Sequence, residues 1–295
     1  MQMNTPSRST IRLTRRGKLV LVVTGAVVAG TAVAVPLLTL GNEPPKPVSL
    51  VIPEGWRASQ VYEAVDKVLA LPTGATAKTI GKAGLKLPHD AAGNPEGYLF
   101  PATYSVVKGA TPESLLQSMV DAANDKFNGA PLAAGAQRNA MNVHQAVTIA
   151  SIVQAEASTR NDMGKVARVV LNRLARGMPL QMDSTINYAL RRHTIHTSTD
   201  DTRIDSPYNS YQRMGLPPTP IDNPGDTAMR ATLNPTPGDW LYFVTVKPGD
   251  TRFTSDYTEH QRNVAEFNAQ QHKSSQPQQS PSRTAAQSPA SQSPS

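Results

Sequence analysis

The 295-residue chain contains no cysteine. That absence excludes thiol nucleophiles, cysteine-ligated metals and disulfide frameworks, and it suits an exported protein stabilised by its core. No acidic residue occurs among residues 1–18 or 268–295, and residues 19–40 carry no charge of either sign. The net charge of +7 is therefore a property of the two ends. Residues 41–267 hold 22 basic and 22 acidic side chains, so the body is not a basic, polyanion-binding domain and nucleic acid is not an expected partner. Also missing are a G-x-S-x-G nucleophile elbow, a glycine-rich phosphate loop and any internal repeat. His193 and His196, followed by Asp200, Asp201 and Asp205, lack the i, i+4 spacing of a helical zinc site, and a solvated loop is the plainer reading.

What is present divides the chain into six parts. Residues 1–18 form a basic tail with Arg8, Arg12, Arg15, Arg16 and Lys18. Residues 19–40 are an uncharged, mostly apolar run, about 33 Å long as a helix, enough to span a bilayer. The preceding cations orient it with the N-terminus in the cytoplasm and the body outside. A cleaved signal peptide is the rival, with Ala32-Val33-Ala34 as cleavage site, but the apolar run continues past it and favours a retained anchor. Residues 41–47 are a proline-rich linker. Residues 48–93 read as a small strand–turn–helix unit, with a strand at 48–52, a helix at 59–69 and a weakly ordered stretch from 72. Residues 94–267 form the main body and residues 268–295 a disordered Ser/Pro/Gln tail. In the body, helices are expected at 111–127 (Thr111 as N-cap), 143–158, after Asn161-Asp162, at 224–233 and at 258–268. A hairpin is expected around Lys247-Pro248-Gly249-Asp250. The fold class is α+β.

Within 143–158, Ile149, Ile152, Val153 and Glu156 fall at i, i+3, i+4 and i+7, which puts one acid on an apolar stripe. A carboxyl in a dry setting has a raised pKa and can hold a proton for donation. The plainer alternative is an acid at the rim of a helix face, satisfied by Arg160 or Arg173. Around it, Gln181, Asp183, Ser184, Asn209 and Tyr211 supply amide, acid, hydroxyl and phenol, the groups a carbohydrate groove uses. Each has a structural alternative: Asp183-Ser184 as a helix N-cap, Asn209 and Tyr211 as turn stabilisers. Glu96 reads equally as a satisfied loop carboxylate, and Tyr98 with Phe100 as core.

The segments IASIVQAEA (149–157), VARVVLNRLARGMPLQMDSTINYAL (166–190), SPYNSYQRMGLPPTPIDNPG (206–225) and LYFV (241–244) together resemble the endolytic murein transglycosylases of the MltG, or YceG-like, family. EGYLFPATY (96–104) is similar to that family's upstream motif, and VSLVIPEGWRASQVYEAV (48–65) to its LysM-like module. The resemblance implies a single membrane helix, a LysM-like module over 48–93 and a mixed α+β catalytic domain over 94–267. It implies a lyase that cuts internal MurNAc–GlcNAc β-1,4 bonds of peptidoglycan and ends nascent glycan strands in 1,6-anhydroMurNAc. Glu156 takes the catalytic role, with Gln181, Asp183, Ser184, Asn209, Tyr211 and Glu96 as substrate-binding candidates. Many members carry a second acid where this chain has Gln154. No metal or organic cofactor is implied. The implied partners are glycan strands, the membrane and wall-synthesis enzymes such as penicillin-binding proteins. A muramidase-type hydrolase, with Asp183 as second carboxylate, and a silent wall-binding scaffold are the competing readings.

Overall fold

In a computed structural model, residues 48–127, 129–192 and 197–275 are described. The basic tail, the expected span at 19–40, the linker, His193 and His196 and residues 276–295 lie outside them. Among the described residues no helix is long and apolar enough to cross a membrane.

Strand β1 (Val48–Val51) pairs antiparallel with β2 (Thr103–Val106), Leu50 lying opposite Tyr104. Between them run α1 (Ala58–Val68), α2 (Ala75–Thr79) and two short 3-10 turns. The stretch after residue 72, expected to be weakly ordered, is organised by one buried side chain. Asp66 accepts from the Gly74 N–H at 2.7 Å and from the Thr76 N–H and hydroxyl at 2.8 and 2.6 Å. These bonds offset the burial of the carboxylate and fix the turn into α2.

Leu50, Ile52, Val61 and Val65 pack with Leu99, Leu115, Leu116 and Met119 in one apolar cluster. Packing therefore runs without a break across the boundary expected at residue 93. β2 completes the sheet of β1, and α3 (Pro112–Phe127) covers it. Thr111 caps α3 as expected, its hydroxyl accepting the Ser114 N–H at 3.2 Å.

The second and larger cluster is built on α5 (Val143–Glu156), which follows α4 (Ala130–Arg138). Asn142 and Gln145 cap α5 reciprocally, each side-chain oxygen accepting the other's N–H at 2.8 and 2.9 Å. From Ala146 to Val153 every residue is buried, so α5 is a central helix and not the one-sided amphipath its spacing implied. α6 (Met163–Ala175) and α8 (Asp226–Leu233) flank it, with α7 (Asp183–Ala189) near its end. Truncating fully buried Ile152 to alanine would cost about 2–5 kcal/mol and loosen the helix that carries Glu156.

A hairpin of β3 (Tyr242–Lys247) and β4 (Asp250–Thr254) follows, and α9 (Tyr257–Ser275) packs on β3. α9 continues past the stop expected at residue 268, so the first eight residues assigned to the disordered tail are helical.

Candidate active site

Glu156 is the last residue of α5, and its carboxyl stands at the junction of two open cavities of about 830 and 890 Å³. Those volumes fall in the range of ligand sites. Its Oε1 accepts the main-chain N–H of Ser184 at 3.1 Å. Burial among protein atoms raises its pKa, the Ser184 N–H and nearby hydroxyl oppose the rise, and the Asp183 carboxylate adds to it. Ser184 Oγ stands close enough to favour the charged form without reaching hydrogen-bond geometry.

Among the described residues no arginine forms an ion pair with this acid. Arg173 is spent on the carbonyls of Leu241, Pro179 and Leu180 and on Gln181 Oε1, at 2.6, 3.1, 2.9 and 3.0 Å. The alternative of an acid satisfied by Arg160 or Arg173 is thus not what the structure contains.

The polar residues expected around Glu156 divide into two groups. Asp183, Ser184, Gln181 and Tyr211 line its cavities. Tyr211 donates to Asp183 Oδ1 at 2.5 Å. Gln181 takes a left-handed backbone (φ 53°), donates its N–H to the Ser210 carbonyl at 2.9 Å and is exposed to the groove. Met182 is the residue before α7, so Asp183 opens that helix without capping it.

Asn209 and Glu96 are placed elsewhere. Asn209 is fully buried; its amide donates to the Thr202 and Ile204 carbonyls at 3.0 and 2.8 Å and accepts the Tyr211 N–H at 3.0 Å. It holds the loop that presents Tyr211 and has no surface left for a sugar. Glu96 is buried beside α1, where Oε1 accepts from the Ala58 N–H at 2.8 Å and Oε2 from Tyr188 OH at 3.1 Å. Burial pushes its pKa up to about 7 against those hydrogen bonds and Arg57. It lines a different cavity from Glu156.

Four side chains at the site were not anticipated. In the 890 Å³ cavity, Tyr242 stacks on His260 at 5.1 Å and meets Tyr257 at 5.5 Å, giving an aromatic wall to the cavity that Gln181 also lines. Tyr242 lies in LYFV, so its segment was visible although its role was not. The fourth, Arg57, lines the 830 Å³ cavity with Asn187, Arg192 and Lys247. The hairpin that roofs both cavities is tied down by hydroxyls, Ser158 to Thr245 at 2.7 Å and Thr251 donating to Asp162 at 3.3 Å.

A smaller cavity of about 230 Å³ adjoins Ala155 and Ser184 and is lined by Glu54, Gln154 and Asp222. Asp222 is buried, and its Oδ1 meets no partner among the described residues. Burial lifts its pKa well above the usual carboxylate range, Glu96 adds to that and Arg57 opposes it. Loop sequence alone gave no sign of this acid. Asp200, Asp201 and Asp205, weighed as metal ligands, pair instead with Arg203, Arg192 and Arg213. Among the described residues no three His, Cys, Asp or Glu side chains cluster to hold a metal.

Known proteins are similar to this chain in sequence and fold. An endolytic murein transglycosylase of Streptococcus pneumoniae serotype 2 (strain D39) is 37% identical over 254 residues, covering 76% of this chain and 46% of its own length. One from Bacillus subtilis strain 168 is 38% identical over 168 residues, covering 57% of this chain and 46% of its own. The chain spans about half the length of these relatives. The crystal structure of a yceG-like protein from Listeria monocytogenes superposes with a TM-score of 0.65 at 33% identity, covering 73% of this chain and 75% of that one. The model of the YceG-like family matches residues 29–266, and the chain belongs to that family.

Proposed function

We propose that the chain is a membrane-anchored endolytic peptidoglycan lytic transglycosylase. It cuts internal MurNAc–GlcNAc β-1,4 bonds, leaves 1,6-anhydroMurNAc ends and so terminates nascent strands. The observation that carries this reading is Glu156, a half-buried carboxyl with a raised pKa at the meeting point of two open cavities. A groove continuing on both sides of the acid suits a cut inside a polymer, and the names of the relatives agree with it.

In the first half of the reaction, protonated Glu156 gives its proton to the glycosidic oxygen as the bond from C1 to that oxygen breaks. In the second, the Glu156 carboxylate takes the proton of the MurNAc C6 hydroxyl while O6 bonds to C1. The proton lost in the first step returns in the second, so the cycle consumes no cofactor. One group must serve as acid and then base, which requires opposed influences on its pKa. Burial and Asp183 favour the acid; the Ser184 N–H, donating to Oε1, favours the carboxylate. Asp183, Ser184, Gln181 and Tyr211 orient the strand, with Tyr242 and Tyr257 offering faces to sugar rings. Asn209 acts through Tyr211, and Glu96 outside the groove.

The anchor over 19–40, the extracytoplasmic placement of the body and partnership with penicillin-binding or other synthesis enzymes are part of the same proposal. So is the LysM-like unit; the β1–β2 pairing supports extending it from residue 93 to the end of β2.

One observation favours a second reaction on the same substrate. Hydrolysis needs a second carboxyl to activate water. Asp222, which lines the cavity beside Ala155 and Ser184 and has one buried, unpartnered oxygen, fits that role better than Asp183, which Tyr211 engages. Digestion of purified sacculi, with products weighed by mass spectrometry, separates the readings. Anhydro ends are expected. Reducing ends that vanish in Asp222→Asn would establish the hydrolase, and intact strands would leave only a wall-binding scaffold.

A further inference from the structure

A cavity of about 910 Å³ shares Arg57 with the Glu156 cavity and is otherwise lined by α1 residues including exposed Glu63, by Glu96, and by Tyr188, Arg191 and Tyr208. Arg57 is half-buried and held rigidly. Its guanidinium donates to the Asn187 carbonyl at 3.4 Å and the Arg192 carbonyl at 3.1 Å, and lies 5.1 Å over the Tyr188 ring. It forms no ion pair among the described residues. Its nearest candidate, Glu96, spends its oxygens on the Ala58 N–H, the Asn223 amide and Tyr188 OH. Burial disfavours the charge of Arg57, yet the fold keeps it at the passage between two cavities. A fixed, partly dehydrated guanidinium without a counter-ion is suited to bind a carboxylate. Arg191, exposed in the same cavity, adds a second cation, and the Tyr188–Tyr208 ring pair (4.9 Å) adds an apolar surface.

We propose that this cavity seats the peptide stem carried by the muramyl residue next to the cut, with Arg57 and Arg191 pairing stem carboxylates. The inference rests on the transglycosylase reading above and names what that enzyme recognises beyond the sugars. Glycan rings and acetamides are uncharged and offer no partner to Arg57, whose neighbour Glu96 is engaged by the Ala58 N–H and Tyr188 OH, or to exposed Arg191. A muramyl stem is a short peptide with several carboxylates and aliphatic side chains. It branches from the muramyl sugar whose C1–oxygen bond breaks as Glu156 protonates that oxygen, and Arg57 lines both the cavity of that acid and the cavity beyond. The first helix of the N-terminal unit thereby becomes a wall of the substrate site and not a separate glycan-binding module.

The test uses the full-length chain in detergent micelles and two substrates, uncrosslinked strands with intact stems and the same strands stripped by an amidase. Wild type is expected to cleave stemmed strands with a kcat/KM about tenfold higher than stripped ones. Arg57→Gln and Arg191→Gln should each lower that ratio several-fold, through KM on the stemmed substrate. Arg191 is exposed, so its variant tests the idea even if Arg57→Gln folds poorly. Equal or better cleavage of stripped strands by wild type, or variants that slow both substrates alike, would overturn the inference while leaving the transglycosylase reading intact. Cleavage of neither substrate by wild type would remove both.

Discussion

The phenol of Tyr211 donates to Asp183 Oδ1 at 2.5 Å, and the carboxylate it holds in place raises the pKa of Glu156, the neighbouring acid. Replacing Asp183 by asparagine keeps an oxygen for Tyr211 but removes the like charge. The pKa of Glu156 then falls. Because the first step needs Glu156 protonated, the loss of rate on the alkaline side should begin at a lower pH in Asp183→Asn than in wild type. A pH–rate profile measured as kcat/KM reads this directly. A limb that stays in place, or moves to higher pH, would refute the coupling.

Glu156→Gln should separate chemistry from folding. The amide oxygen can still accept the Ser184 N–H, and a neutral side chain removes the cost of dehydrating a carboxylate. Turnover should fall by about 10²–10⁴-fold or more, the usual contribution of a general acid, while the thermal midpoint is unchanged or higher. Residual cleavage near the wild-type rate would dismiss Glu156 as the proton donor.

Much of this site was visible in the sequence because its parts are local. The capped apolar run of α5, the Lys247–Asp250 turn and the place of Glu156 on a dry helix depend on residues close in the chain. What was not visible depends on packing between distant segments. An asparagine in a Pro- and Gly-rich loop reads the same whether its amide faces a groove or, as in Asn209, its own backbone. Asp222 looked like an ordinary loop acid until burial left one oxygen unpartnered. Arg57 and Glu63 are separated by six positions yet line one cavity with Arg191 and Tyr208, a juxtaposition no spacing rule encodes. The polarity of the tail's start predicts no structure, yet glutamine, lysine and alanine are good helix formers and α9 runs on to Ser275.

Glu96 should make stability depend on pH. Its pKa is about 7 in the fold, raised by burial, against an ordinary 4.5. Between those values the folded chain binds more proton than the unfolded one, so its stability is full below pH 4.5 and declines as pH rises toward 7. The loss amounts to about 3 kcal/mol at roughly 1.4 kcal/mol per pH unit. Urea denaturation at several pH values should follow this slope in wild type and flatten in Glu96→Gln. An identical slope in both proteins would assign the titration to another group.

Gly97 tests whether the loop carrying Asp222 is clamped onto α5. Its φ of +86° is left-handed, and an added Cβ would lie 2.5 Å from Pro220 Cγ and 3.0 Å from Val147 Cγ1 of α5. Alanine there must both strain the backbone and push the 220 loop off the helix, costing about 2–4 kcal/mol. Gly74 provides the control: its φ is +82°, but nothing lies within 4 Å of the added carbon. Gly74→Ala should therefore cost only the backbone term, about 1 kcal/mol. The difference between the two variants in urea midpoints isolates the contact with Pro220 and Val147. Two variants of equal stability would mean that the loop yields freely, and Asp222 would then lose its fixed position beside Ser184.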